Sequence, residues 1–148
     1  MIIDTRTEFA DAVALNTGAA GTYLVGNVID LEKTGLDMGQ GEPVYLVISV
    51  DTAATSGGSA TAAFTLASDA QAAIATDGSA TVHFKTDAVP VAQLVAGKRI
   101  AVIALPAGTY ERYLGILQTT GTAAFTAGKI DAFLTLDPTG WKAYPDGI

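Results

Sequence analysis

The chain has 148 residues, no cysteine, a charged fraction of 16% and a net charge of −7. Its length suits one domain, burying about 68–70% of the surface its unfolded form exposes, so neither disulfide nor structural metal is needed for folding. The acidic balance repels phosphate backbones, the lack of cysteine excludes thiolate chemistry, and no apolar run nears the ~20 residues of a membrane-spanning helix. Neither a nucleic acid nor a membrane is therefore an expected partner. The start MIIDTRTEF places Asp4 where a secretory signal would need a basic region followed by an apolar one. Charged residues are scarce against the ~25% of an average soluble domain, which points to neutral surface that a partner covers.

Taken in chain order, the elements read as strands. Residues 9–16 alternate first, and residues 22–31 follow. A glycine-rich connection carrying Gly35, Gly39 and Gly41 leads into residues 44–51, the most apolar strand of the chain. There Val44, Leu46, Ile48 and Val50 share one face of an extended backbone and Tyr45, Val47, Ser49 and Asp51 the other. A strand apolar on one face and half-apolar on the other belongs inside a sheet, against a second layer. Gly57–Gly58 marks a turn, after which residues 60–67 put Ala62, Phe64 and Leu66 on one side.

Ser68 could cap a helix over residues 68–76, but the alanines that follow form no apolar stripe, so a loop or a single turn is expected. Asp77–Gly78 marks the next turn. Residues 80–86 then alternate, with Val82 and Phe84 expected inward and Thr81, His83 and Lys85 outward. Pro90 suits a bend or a sheet edge. Strands at 99–105, at 111–119 with an interior Gly115 that marks a close approach or bulge, and at 129–136 complete the count. In the last of these Ile130, Ala132, Leu134 and Leu136 share a face. Eight short strands separated by glycine-bearing turns predict an all-β, antiparallel two-sheet sandwich with little or no helix: a jelly roll, with an Ig-like sandwich as the main competitor, though no Cys…Trp…Cys pattern supports it. The whole chain, residues 1–148, reads as one domain, with an arm at residues 1–9 and an extended tail at residues 138–148.

No catalytic constellation emerges. His83 is the only histidine, placed on a presumed solvent face, and without a second base it reads as an ordinary surface residue. Asp30, Glu32, Asp37 and Glu42 crowd the glycine-rich connection, but their spacing does not match a calcium loop. The GQGEP glycines lack the Lys–Ser/Thr pair and following helix of a phosphate loop. Tyr110, Tyr113, Trp141 and Tyr144 form no evident cluster. The expectation is a protein without catalytic residues, bound metal or cofactor.

Several ordered segments carry a family likeness: NVIDL (27–31), DMGQGEPVYLVISVD (37–51), SGGSATAAFTLASD (56–69), FKTDAVPVAQLVAGKRIAVIALP (84–106), RYLGI (112–116) and AGKIDAFLTLD (127–137). The opening MIID and FADA (9–12) look similar as well. With these the chain resembles the jelly-roll capsid cement, or decoration, proteins of Bordetella-type short-tailed bacteriophages. The resemblance implies a virion structural protein on the exterior of an icosahedral shell, made in the host bacterial cytoplasm. Its implied partners are the major capsid protein and a second copy of itself in a homodimer. The expected contact residues are Ile2, Ile3, Arg6 and Phe9 in the arm, since Arg and aromatic residues anchor interfaces, and Trp141 and Tyr144 in the tail. A carbohydrate-binding jelly roll displayed on a virion is the alternative, which requires a groove of clustered aromatics or a calcium ion.

Overall fold

The computed structural model describes residues 4–138. The strands are β1 (Glu8–Ala14), β2 (Gly21–Asp30), β3 (Leu36–Met38), β4 (Tyr45–Ser56), β5 (Thr61–Asp69), β6 (Thr81–Lys85), β7 (Val89–Pro90), β8 (Arg99–Ala104), β9 (Gly108–Tyr110), β10 (Tyr113–Gly121) and β11 (Phe125–Thr135). Among the described residues the only helical pieces are single 3-10 turns at Thr5–Thr7 and Val91–Gln93. The segment after Ser68 is a loop, as expected.

The pairings nest. β1 pairs with β11, β2 with β10, β3 with β9, β4 with β8 and β5 with β6, all antiparallel. Chain and topology are thus one long hairpin rolled on itself, which divides it into sheets of order β1-β11-β4-β8 and β2-β10-β5-β6, with β7 extending the second along β5. This is the jelly-roll arrangement of two antiparallel sheets face to face. The eight predicted strands are all present. The three short additions, β3, β7 and β9, lie in stretches that glycine and proline make look like connections.

The core lies between the sheets. Leu46, Ile48 and Val50 of β4 meet Phe64 and Leu66 of β5, Leu114 and Ile116 of β10, and Ile130 and Ala132 of β11. Val47 and Ser49 are buried as well, so β4 is enclosed on both faces, as its composition implied. A smaller cluster covers the outer side of the second sheet, where the loop after β5 folds back and lays Ile74 against Ala67 and Leu117. Gly115 makes room for it, since a Cβ there would stand 2.6 Å from Ile74 Cδ1. Among the described residues no buried side-chain polar atom lacks a hydrogen-bond partner.

Three expectations about facing change. Phe9, read as an exposed anchor of the arm, is fully buried. The register with β11 shifts between Glu8 and Ala10, so Phe9 sits in a bulge that turns its ring into the core, and the strand already begins at Glu8. Val82, expected inward, is 56% exposed, and His83, expected outward, is half-buried. The register of β5 with β6 slips between Leu66 and Ala67, and a one-residue slip exchanges the two faces of a strand. Leu136 is exposed because β11 ends at Thr135. β4 also runs five residues beyond Asp51, held to the last hairpin where Ser56 Oγ donates to Ala124 O at 2.6 Å.

Candidate functional site

Each sheet ends in two edge strands, and their condition differs. β1 carries two register shifts, a left-handed Ala12 at φ +48° and an Ala12 amide donated to Asp131 Oδ1 at 2.8 Å. β2 is closed against β1: at Gly26, φ +76°, an added Cβ would collide with the Phe9 carbonyl, so no side chain fits at that position. β6 is short, bulged beside His83, and followed by Pro90 in β7. Bulges, proline and close cover are the usual ways of blunting an edge.

β8 has none of these over its last residues. Ala101 to Ala104 pair with β4 in unbroken register, and residues 100–105 (IAVIAL) contain no charge and no proline. The Leu105 amide donates to Val44 O at 2.8 Å, so by strand alternation the backbone groups of Val102 and Ala104 point away from β4, to the open side. Beside this edge the two sheets part. The gap between β8 and the β6–β7 edge is lined by Phe84, Val89, Ile100 and Ile103, all partly buried members of the core, with Lys85 and Lys98 on its rim. The core therefore crops out along one side of the sandwich and is sealed on the other.

A second constellation surrounds His83. Its Nε2 lies 2.7 Å from Ser68 Oγ, and its ring stacks on Tyr110 with centroids 3.6 Å apart and planes 3° from parallel. Ser68 Oγ also accepts the Glu111 amide at 3.1 Å, and Glu111 Oε1 accepts from Thr81 Oγ1 at 2.6 Å. Burial lowers the His83 pKa below the ordinary 6.5, opposed in part by the Glu111 charge, and burial raises that of the Tyr110 phenol. A Ser–His pair at this distance has the geometry of an activated nucleophile. Ser68 is fully enclosed, however, so its oxygen is out of reach of a substrate carbonyl and the cluster serves as a clamp between β5, β6 and β9. The sequence held a partial signal, a lone histidine in a clean strand, but its partners are 15 and 27 positions away.

Of the carboxylates near the glycine-rich connection, Asp30 has a local role. Asp30 takes both Nε and Nη2 of Arg112 at 2.9 Å and the Glu32 amide at 2.7 Å, and the guanidinium first, then that amide, holds its pKa below the usual range. The same guanidinium lies 5.0 Å from the Tyr113 ring centre. Gly39 packs against the backbone of residues 105–107, which brings β3 alongside β9. Of the expected contact residues, Arg6 is exposed in the 3-10 turn, where its amide is capped by Asp4 Oδ1 at 2.9 Å. Ile2, Ile3, Trp141 and Tyr144 lie outside the described residues. Tyr110 is fully buried, with its hydroxyl donated to Pro106 O at 2.7 Å, so it offers no sugar platform.

An antiparallel jelly-roll sandwich with a sealed side and an apolar open edge is the class this architecture defines. Within it, the family model described as Bbp16 matches residues 9–134, and the chain belongs to that family. The name points to a Bordetella phage protein, in agreement with the likeness seen in the ordered segments. No curated protein sequence matches the chain.

Proposed function

We propose that the protein is a capsid cement protein: a non-enzymatic structural component that binds the outside of an icosahedral phage shell, as a homodimer, and ties neighbouring major capsid subunits together. The observation that carries this reading is the match to the Bbp16 family over residues 9–134 of a jelly roll whose ordered segments resemble such cement proteins. The sandwich supports it physically. A core satisfied in its own polar groups and enclosed on both faces of β4 keeps its shape without a ligand, which a mechanical tie requires. Its work is additive, since many copies of modest affinity act together once each is held beside the next.

The test is to strip shells of the protein and add it back. Shells carrying it should withstand higher temperature and stronger osmotic shock than bare ones. Equal resistance with and without it would sink the reading.

A further inference from the structure

The strongest uncommitted feature of the molecule is the β8 edge, and its chemistry specifies an occupant. Edge strands present unpaired N–H and C=O groups, and a regular, uncharged one is a template for another strand unless something covers it. Three of the four edges here are blunted: β1 by two register shifts, β2 by its contact with Phe9, and β6 by its bulge and Pro90. β8 carries one register shift, between Arg99 and Ala101, and beyond it is regular and uncharged from Ala101 to Ala104, with Val102 38% exposed. Next to it the groove floor is apolar, formed by Phe84, Val89, Ile100 and Ile103. A strand laid along β8 would find backbone partners at Val102 and Ala104 and an apolar seat for alternate side chains.

The rim adds a charge requirement. Lys85 and Lys98 border the groove against one carboxylate, Asp87, in a chain of net charge −7. Among the described residues neither lysine forms an ion pair. A second copy pairing β8 to β8 would present residues 98–105, KRIAVIAL, which bring two cations and no carboxylate to that rim. Self-pairing therefore leaves the requirement unmet, whereas a foreign strand with apolar residues at alternate positions and a carboxylate near its end satisfies both halves.

We propose that β8 accepts, by strand addition, an extended acidic segment of the shell subunit, seated between β8 and the β6–β7 edge with its carboxylate against Lys85 and Lys98. This rests on the capsid-binding reading above and names the part of the surface that does the binding.

The experiment uses shells assembled from the major capsid protein of the same phage, the full chain, and two variants. Val102→Pro removes an amide that points to the open side and so spares the β4–β8 ladder. Lys85→Glu with Lys98→Glu reverses the rim charge at one exposed and one half-buried side chain. Hydrogen exchange of residues 99–104 is followed in the free and shell-bound protein. Strand addition predicts exchange at Val102 and Ala104 slowed about tenfold or more on shells, and binding weakened about tenfold or more in both variants. If the unaltered protein fails to bind shells, the capsid reading falls and this inference with it. If it binds and stabilises them while β8 exchange and both variants behave as the unaltered chain free and bound, strand addition alone is overturned. If β8 is already protected in the free protein and becomes exposed on dilution to monomer, its occupant is a second copy and the proposal is likewise overturned.

Discussion

His83 and Ser68 are hydrogen bonded at 2.7 Å across the β5–β6 pair, with the imidazole lying flat on Tyr110 of β9. The contact ties a sheet edge to the small β3–β9 ribbon and depends on the charge of one ring. Besides Glu111, whose carboxylate reaches Thr81, the packed neighbours Ser68 and Tyr110 carry no charge near neutrality.

Stability should therefore fall on mild acidification. The folded-state pKa of His83 lies below 6.5, so the unfolded chain takes up a proton first. The penalty is absent well above the unfolded value, grows as pH drops through it, and levels off once the folded protein is also protonated. In urea titrations from about pH 7.5 to about pH 5 the native protein should lose more stability than His83→Gln. Parallel curves would show that the ring does not titrate in this way.

The seal between β1 and β2 should tolerate no side chain. Gly26→Ala combines a left-handed backbone with a methyl group driven into the Phe9 carbonyl and should cost at least about 3 kcal/mol. Gly41→Ala, equally left-handed at φ +82° but with open space around it, should cost only about 1 kcal/mol. Comparable losses in chemical denaturation for the two would show that contact, as opposed to backbone angle, is unimportant at Gly26.

Gln118 should prove a structural amide. It is fully buried, its Oε1 accepts the Asn16 amide at 2.9 Å, and its Nε2 donates to Asn16 O at 3.1 Å and Thr120 Oγ1 at 2.8 Å. Gln118→Leu keeps the volume but strands both backbone groups of Asn16, at a cost of about 2–3 kcal/mol. The loop between β1 and β2 should show the accompanying rise in amide exchange, and an unchanged loop would contradict the assignment.

Phe64, fully buried at the centre of β5, should behave as a plain packing residue. Phe64→Ala should cost about 3–5 kcal/mol through lost contacts and the cavity left behind, read from the denaturation midpoint.

Much of this molecule is local. The alternation of Leu46, Ile48 and Val50, of Phe64 and Leu66, and of Ile130, Ala132 and Leu134 marks buried strand faces, because a side chain's direction in a strand follows from its parity alone. Gly57–Gly58 and Gly115 were legible as a turn and a close approach, whereas Gly26, inside the strand read at residues 22–31, carried no such mark. Eight strands and a sandwich follow from such signals without knowledge of which strand meets which.

What the tertiary structure decided is pairing and its irregularities. β1 and β11 lie at opposite ends of the chain, and nothing within either names the other. The bulges that bury Phe9 and half-bury His83, while leaving Val82 outside, arise because a strand keeps register with its neighbour only by admitting an extra residue, and that residue inverts the faces. The open edge is likewise a property of sheet order. Residues 100–105 read from sequence as one more apolar strand, and only their place at the end of a sheet, with backbone groups turned outward, makes them a surface for another chain.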